Sequence, residues 1–182
     1  MSISALIVAA GSGSRMGGHL PKQYRPIGGL PVIAHAVDAL ASHPSISTVR
    51  VVIGGGQEEH ALKALGGRDV GPLVHGGLER SDSVRAGLSE LDDDIVLVHD
   101  AARPFCPHDV IDRLLAALDD RDGAVPVLPV ADTLARANAD LGEPVERAGL
   151  VRVQTPQAFR RSLLVEAYEQ WAGPAPTAGA SR

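Results

Sequence analysis

The sequence predicts an α/β protein with a doubly wound, mostly parallel β-sheet, from which a β-hairpin arm protrudes. Three observations carry this prediction. Continuously apolar runs recur along the 182 residues, and segments with helical periodicity lie between them. This alternation is interrupted once, over residues 131–154. Strands that alternate with helices are typical of a parallel sheet covered by helices.

Five apolar runs are the predicted strands of this sheet. They are apolar throughout rather than alternating, which indicates strands that are buried on both faces. In chain order they are ISALIVAA (3–10), TVRVVIGG (48–55), PLVHGG (72–77), DIVLVHDAA (94–102) and AVPVLPV (124–130).

Five segments between and after these runs are the predicted helices. They span residues 30–42, 57–66, 81–91, 107–120 and 160–172. The second begins with acidic residues and ends at a glycine, the third opens with a Ser/Asp cap, and the fourth opens with proline and acidic residues, all of which are helix boundary signals.

Residues 131–154 have the polar–apolar alternation of two strands joined by a turn near residues 140–142. Because a protruding hairpin cannot bury both of its faces alone, we expect it to meet a second copy of the chain in a homodimer. We expect one domain over residues 1–172, including this arm, and a disordered tail over residues 173–182.

Composition limits the classes of function. With 45% hydrophobic and 21% charged residues the chain can bury a full core, and its net charge of −5 argues against a nucleic-acid partner. Cys106 is the single cysteine, which excludes an intrachain disulfide or a cysteine-based zinc site and favours the cytoplasm. The apolar run at 3–10 is too short to span a membrane, so we expect no membrane partner.

The stretch LIVAAGSGSRMGGHLPKQY (6–24) runs from a predicted strand into a glycine-rich turn. A turn of this kind presents backbone N–H groups to a phosphate. The Walker pattern is absent, and Met16 replaces the last glycine of the dinucleotide fingerprint. The glycines could merely turn the chain beside solvated cations. As a site, the loop would let a ligand approach the backbone and the cations would converge on its phosphates, through Ala9, Ala10, Gly11, Gly13, Arg15 and Lys22.

A second glycine turn precedes the third predicted helix. Gly76 and Gly77 could admit a flat base against the backbone, with Ser83 bonded to its edge. Alternatively this is a loop with Ser81 as the helix cap. Arg80 could brace the loop or lie on the surface, and the sequence does not separate the two.

HDAARP at 99–104 follows a predicted buried strand, so Asp100 should lie at the carboxyl edge of the sheet, where ligands bind. A carboxylate there can hold ribose hydroxyls or help to place Mg²⁺, or it can simply cap the next turn. His99 is interpreted as structural, because its neighbours are apolar and no spacing typical of metal ligands surrounds it.

Several motifs together resemble the 2-C-methyl-D-erythritol 4-phosphate cytidylyltransferase family, which has a Rossmann-like nucleotidyltransferase fold. They occur in order from residue 3 to about residue 170: LIVAAGSGSRMG with PKQY, GGLERSDSVRAGL (76–88), VLVHDAARPF (96–105), PVLPVADTL (126–134) and VQTPQAF (153–159).

The resemblance implies that CTP and the polyol phosphate are joined with release of pyrophosphate. Arg15 and Lys22 would stabilise the charge that develops in this reaction, with Mg²⁺ bridging phosphate oxygens. Asp100, Ala101 and Arg103 would line the nucleotide site, and Thr133, Arg147 and Thr155 would bind the acceptor. The arm would be exchanged between the subunits of a homodimer, although Arg147 alone could also be a surface cation of the hairpin.

The sequence departs from the family pattern in two places. Leu78 stands where an acidic residue often contributes to the nucleotide pocket, and the chain ends at TAGASR, where relatives usually continue with a further strand and helix. We therefore expect a C-terminally shortened chain with an incomplete acceptor site. Four alternatives stay open: a cytidylyltransferase for another polyol phosphate such as ribitol 5-phosphate, a guanylyl- or uridylyltransferase, a truncated form with little activity, and a nucleotide-binding regulator.

Overall fold

The structure, a computed structural model, describes residues 1–11, 20–137 and 140–171. The predicted tail, residues 173–182, lies outside the described residues. The strands are β1 (Ile3–Ala9), β2 (Pro26–Ile27), β3 (Leu30–Pro31), β4 (Thr48–Ile53), β5 (Val74–His75), β6 (Ile95–Asp100), β7 (Gly123–Ala124), β8 (Val127–Pro129), β9 (Leu134–Ala137), β10 (Leu141–Val145), β11 (Val151–Val153) and β12 (Gln157–Arg160). The helices are a short 3-10 helix (Lys22–Tyr24), α1 (Val32–Ala41), α2 (Glu58–Leu65), α3 (Arg80–Leu88), α4 (His108–Ala117) and α5 (Arg161–Gln170).

Six strands form the central sheet in the order β5-β4-β1-β6-β12-β7. The pairs β4–β5, β1–β4 and β1–β6 are parallel, whereas β12 is antiparallel to both of its neighbours. The predicted mostly parallel α/β sheet is therefore confirmed. Because the chain goes from β1 to β4 on one side and later to β6 on the other, the strand order reverses between β1 and β6.

Each face of the sheet carries its own apolar core. Successive strand residues point to opposite faces, so Ile7 packs in the cluster with residues of α1, α2 and α4, while Leu6 packs in the cluster with residues of α3 and α5. Both side chains are fully buried. Helices on both faces confirm the doubly wound arrangement.

Two segments differ from the sequence prediction. The run at 124–130 is not one strand: β7 ends at Ala124 and β8 begins at Val127, because Pro126 has no N–H with which to continue a ladder. The carbonyl of Pro126 instead accepts from the N–H of Gln154 at 2.8 Å. The segment QAF, which directly precedes the last predicted helix and is not among the predicted strands, is part of β12, where Ala158 is buried between Leu97 and Ala124.

The start of α3 also differs. The residue that caps it is Glu79, whose N–H donates to the carboxylate of Asp82 at 3.2 Å, so the predicted cap by Ser81 is wrong. Within the described residues, no helix is long and apolar enough to cross a membrane.

The arm consists of two antiparallel ladders outside the main sheet. β8 pairs with β11, and β9 pairs with β10 with a register shift between Leu141 and Pro144. The predicted hairpin is thus confirmed, and its first strand pair begins earlier than expected, at Val127. Residues 138 and 139, which join β9 to β10, lie outside the described residues.

Candidate active site

A cleft of about 540 Å3 lies where β1 and β6 end and α3 begins. This is the point at which the strand order reverses, where open α/β sheets bind ligands. Most of the predicted site residues line it, namely Ala9, Ala10, Gly11, Lys22, Gly77, Ser83, Asp100, Ala101 and Arg103. Gly13 and Arg15, also predicted, lie outside the described residues.

Gln23 fixes the backbone where β1 ends. It is buried, and its amide nitrogen donates to the carbonyls of Ala9 at 2.7 Å and Gly11 at 2.9 Å. The same nitrogen also lies 3.3 Å from Oε1 of Gln57. The hydroxyl of Tyr24 donates to the Oε1 of Gln57 at 3.0 Å, and burial raises the pKa of Tyr24 to about 12, which keeps it a donor. The motif PKQY thus fastens the backbone at Ala9 and Gly11 to the start of α2.

Lys22 begins the short helix that carries Gln23, and its exposed side chain lines the cleft. Among the residues that the structure describes, no carboxylate pairs with its ammonium within 4.0 Å. The cation is therefore available to an anionic ligand.

The glycines at 76 and 77 are required by the approach of α3. A Cβ on Gly76 would lie 2.5 Å from the Oγ of Ser83 and 2.8 Å from the Cβ of Ala10, and one on Gly77 would lie 2.3 Å from the Cβ of Asp82. The hydroxyl of Ser83 donates to the carbonyl of Glu79 at 3.2 Å, so it can only accept a bond from a ligand.

Asp100, the last residue of β6, holds two arginines beside the cleft. Its Oδ1 accepts from Nε and Nη2 of Arg80 at 3.3 and 3.2 Å, and its Oδ2 accepts from Nε of Arg103 at 3.4 Å. Arg103 also donates to Oε1 of Gln154. Arg80 therefore acts as a brace. The cleft is lined by three cationic side chains, those of Lys22, Arg80 and Arg103, and by two carboxylates, those of Glu79 and Asp100.

Thr155 reaches the end of β6 rather than the arm. Its hydroxyl lies 3.1 Å from Nδ1 of His99 and accepts from the N–H of Asp100 at 3.2 Å. His99 is fully buried, and its Nε2 lies 2.9 Å from the carbonyl of Arg103. Thr155 is thereby hydrogen-bonded directly to Asp100 and is connected to the backbone of Arg103 through His99.

Thr133 and Arg147 lie together on the arm, outside the cleft. They line a second hollow of about 410 Å3 with residues of β9 and β10. A guanidinium nitrogen of Arg147 donates to the carbonyls of Ala131 and Asp132. The structure thus brings these two predicted acceptor residues to each other and not to the cleft.

The family model described as "IspD: 2-C-methyl-D-erythritol 4-phosphate cytidylyltransferase" matches residues 3–180. The chain belongs to this family. It is 64% identical, over 170 residues, to the "Bifunctional enzyme IspD/IspF" of Rhizorhabdus wittichii, covering 93% of this chain and 44% of that protein. To the protein of the same name from Rhodospirillum rubrum it is 47% identical, covering 94% of this chain and 46% of that protein. The IspD chain thus spans less than half the length of these relatives.

Solved structures agree with this assignment to the IspD family. The crystal structure of 2-C-methyl-D-erythritol 4-phosphate cytidylyltransferase from Thermus thermophilus matches with a TM-score of 0.76 and 33% identity, covering 93% of this chain and 75% of that one. The bifunctional IspDF from Campylobacter jejuni matches with a TM-score of 0.79 and 26% identity, covering 96% and 45% of the two chains.

Sequence reasoning missed two residues of this site, Gln23 and Gln154, and left the role of a third, Arg80, open. Gln23 stands inside a motif already singled out, but a lone glutamine gives no signal of its backbone partners. Gln154 precedes the segment TPQAF, and only the fold brings it to Arg103. Arg80 was considered without a decision, and its partner Asp100 lies 20 residues away.

One carboxylate of the cleft fits a Mg²⁺ role. Within the described ranges no group of three His, Cys, Asp or Glu side chains could hold a metal by itself. Mg²⁺ is commonly bound by one or two carboxylates together with substrate phosphates. Asp100 is one such carboxylate, and because both of its oxygens accept from guanidinium groups, a bound Mg²⁺ would have to replace at least one of these contacts.

Proposed function

We propose that the protein transfers the cytidylyl group of CTP to 2-C-methyl-D-erythritol 4-phosphate, giving 4-diphosphocytidyl-2-C-methyl-D-erythritol and pyrophosphate. The observation that carries this proposal is the convergence of Lys22, Asp100 and Arg103 on one cleft at the switch point of an IspD chain. The glycine turn after β1 would bind the phosphates of the nucleotide, and the turn at Gly76 and Gly77 its base.

In this reaction the acceptor phosphate attacks the α-phosphorus of CTP in line with the pyrophosphate leaving group. Both reactants are anions, so their repulsion and the charge that grows on the α-phosphate dominate the barrier. Fixed positive charge and orientation are sufficient, and no covalent nucleophile is required. Lys22 and Arg15 would supply that charge as catalytic residues.

Asp100 has two roles in the proposal. Its carboxylate holds Arg80 and Arg103 at the mouth of the cleft, and it would accept ribose hydroxyls or serve as the protein ligand of Mg²⁺. A bound Mg²⁺ would neutralise charge on the phosphates of CTP. Arg103 would bind the nucleotide from the same edge, beside Ala101.

The arm supports a proposal for the acceptor site and the partner. Thr133, Arg147 and Thr155 would bind the polyol phosphate, and the arm would reach a second copy of the chain. Two-stranded ladders are not stable alone, and several apolar side chains of β8 and β11 are about half exposed: Val127, Leu128, Val151 and Val153. We therefore propose a homodimer through the arm.

We also propose that the protein works in the cytoplasm. Cys106 is a buried free thiol, and burial raises its pKa to about 11, so it stays protonated and unreactive. A chain with a single inert cysteine has no need of an oxidising compartment.

A pyrophosphate-release assay tests the reaction. CTP, UTP, GTP and ATP are each combined with methylerythritol 4-phosphate and with ribitol 5-phosphate, and the Thermus thermophilus enzyme serves as positive control. We expect release with CTP and methylerythritol 4-phosphate alone. Turnover only with ribitol 5-phosphate or another nucleotide would contradict the proposal, and tight CTP binding without turnover would favour a regulator.

A further inference from the structure

Gln154 lies where the arm joins the central sheet. It directly follows β11, and its backbone N–H donates to the carbonyl of Pro126, the residue before β8, at 2.8 Å. From this place its side chain reaches Arg103, which lines the cleft. A single glutamine thus contacts both the base of the arm and a cation of the cleft.

The orientation of the Gln154 amide follows from its partners. Its nitrogen donates to the carbonyls of Arg152 at 3.2 Å and Val153 at 3.0 Å, and its Oε1 accepts from Nη1 of Arg103. The reversed amide would place its oxygen against two carbonyl oxygens and its NH₂ group against a guanidinium, which itself can only donate. The amide oxygen therefore faces Arg103.

The guanidinium of Arg103 is held by two side chains in the described part of the protein. Its Nε donates to Oδ2 of Asp100 at the long distance of 3.4 Å, and its Nη1 donates to Gln154. A bond to Nε alone leaves the group free to rotate about the Nε–Cζ bond, whereas a bond to Nη1 fixes which terminal nitrogen faces the arm. Gln154 is thus the residue that fixes this rotation.

A neutral acceptor orients the cation without offsetting its charge. A guanidinium has five N–H donors, of which Asp100 and Gln154 accept two from Arg103. Among the residues that the structure describes, the other three have no acceptor side chain or carbonyl. The amide of Gln154 therefore leaves both the charge and three donors of Arg103 to an anion.

We propose that Gln154 is a positioning residue that turns Arg103 toward a phosphate oxygen of a reactant in the cleft. This rests on the proposed function, which supplies two reactants that carry phosphate, CTP and the polyol phosphate. Arginine binds a phosphate most strongly when two of its N–H groups point at it together. Gln154 sets the guanidinium plane for such a pair of bonds, and it does so from the base of the arm.

The orientation is tested by NMR without any turnover. In ¹H–¹⁵N spectra of arginine-labelled protein, the terminal nitrogens of a guanidinium give separate signals only when rotation about Nε–Cζ is slow, and Arg103→Met identifies the signals of Arg103. We expect separate signals in the wild type and in Gln154→Glu, which keeps an acceptor, and one averaged signal in Gln154→Met, which removes it. Separate signals in Gln154→Met, or an averaged signal in the wild type, would overturn the proposal.

The two variants make a matched pair. Both lose the amide N–H groups that donate to the carbonyls of Arg152 and Val153, so the difference between them isolates the acceptor. An averaged signal in Gln154→Glu as well would assign the effect to the lost donors and would overturn the proposal.

The consequence for binding is tested by steady-state kinetics. Gln154→Met should raise the KM of one reactant about 3- to 10-fold and change kcat less, and the reactant whose KM rises is the one whose phosphate Arg103 binds. Gln154→Glu should raise the same KM, because its carboxylate offsets the charge of Arg103. Gln170→Met, at an exposed glutamine of α5, is the control and should leave both KM values unchanged. Unchanged KM values for both reactants in Gln154→Met would contradict the proposal.

A double-mutant cycle separates positioning from a general effect on folding. In an Arg103→Met background there is no donor for Gln154 to hold, so Gln154→Met should raise the KM no further. Its effect on the free energy of unfolding through the lost bonds to Arg152 and Val153 should remain in both backgrounds. A rise in KM of equal size in both backgrounds would assign it to folding and would sink the proposal.

The outcomes for the two proposals can be told apart. If the wild-type protein shows no turnover while the NMR result holds, the proposed function fails and the orientation of Arg103 by Gln154 stands. If turnover is normal and the signals of Arg103 stay separate in Gln154→Met, the inference alone fails.

Discussion

Lys22 and Asp100 line the same cleft, but the carboxylate of Asp100 has charged partners within the protein and the ammonium of Lys22 is exposed. Both carboxylate oxygens of Asp100 accept from guanidinium groups, whereas Lys22 is exposed on a three-residue helix. Two buried polar residues hold the backbone and side chains beside them: Gln23 donates to the carbonyl of Ala9, and His99 contacts the hydroxyl of Thr155. This contrast separates substitutions that should change turnover from those that should change stability.

Lys22→Ala should reduce kcat about 10²- to 10³-fold, because removing one fixed donor to developing charge typically has that effect. The free energy of unfolding should stay unchanged, since the side chain is exposed. Steady-state kinetics and urea unfolding measure the two quantities. Lys63→Ala, which removes the exposed lysine of α2, is the control and should retain activity; normal turnover in Lys22→Ala would exclude Lys22 from the mechanism.

Gln23→Leu should leave the carbonyls of Ala9 and Gly11 without their donor. Unsatisfied buried groups cost about 1–3 kcal/mol, so we expect a loss of stability in that range and a higher KM for CTP as the glycine turn loosens. Urea unfolding and CTP titration measure these changes. An unchanged KM for CTP would show that the turn does not depend on Gln23.

Stability should decrease on acidification through His99. Burial lowers its pKa in the folded state, so below about pH 6.5, the ordinary histidine value, the unfolded chain binds a proton that the folded chain does not. The contribution is complete above that pH and is lost as the pH falls toward the folded pKa. Urea unfolding between pH 5 and 8 measures it. H99Q should show a weaker dependence, and an identical dependence in both proteins would assign it to other groups.

At the scale of elements, α3 packs closely against the sheet because Gly87 has no side chain at the point of contact. A Cβ on Gly87 would lie 2.4 Å from Cδ1 of Leu6 and 2.9 Å from Cγ2 of Val52. Since α3 also carries Ser83 and Arg80 to the cleft, its distance from β1 and β4 sets part of the shape of the cleft.

Gly87→Ala should push α3 away from the sheet. Overpacking of this kind typically costs about 1–3 kcal/mol, and we expect weaker CTP binding with it. Thermal unfolding and CTP titration measure both. Gly55→Ala, at a position with no heavy atom within 4 Å of an added Cβ, is the control for stability. Equal melting temperatures for the two variants would show that the contact at Gly87 relaxes without cost.

The sequence could predict the elements whose signals are local. Apolar runs specified β1, β4 and β6, and the carboxyl edge of β6 placed Asp100 in the cleft. It could not predict β12, because four residues next to a longer helical pattern carry no separate period, and the partners of β12 come from β6 and β7. Arg80–Asp100 and His99–Thr155 are likewise set by tertiary packing, over separations of 20 and 56 residues.

At the scale of the whole molecule, the arm leaves one apolar face without cover. Val127 and Val153 are directly opposite each other in the β8–β11 ladder and are 48% and 52% exposed. Residues opposite each other in a ladder share a face. A second copy of the chain would cover this face and bring its own arm residues to the acceptor site.

Replacing both Val127 and Val153 by Asp should dissociate the proposed homodimer. Like charges directly opposite each other on an apolar contact would oppose association, so we expect monomers and a raised KM for the acceptor. Sedimentation velocity measures the first and steady-state kinetics the second. Leu62→Asp, on the exposed side of α2, should leave the dimer intact. A wild-type protein that sediments as a monomer would contradict the role given to the arm.

The most direct test of the proposed reaction follows the oxygen atoms. Methylerythritol 4-phosphate with ¹⁸O in its phosphate is incubated with CTP and the protein, and ³¹P NMR with isotope shifts locates the label. Attack by the acceptor phosphate on the α-phosphorus predicts ¹⁸O on the polyol-linked phosphorus and in the bridge of the new diphosphate, with none in pyrophosphate. Label in pyrophosphate, or no new diphosphate at all, would contradict it.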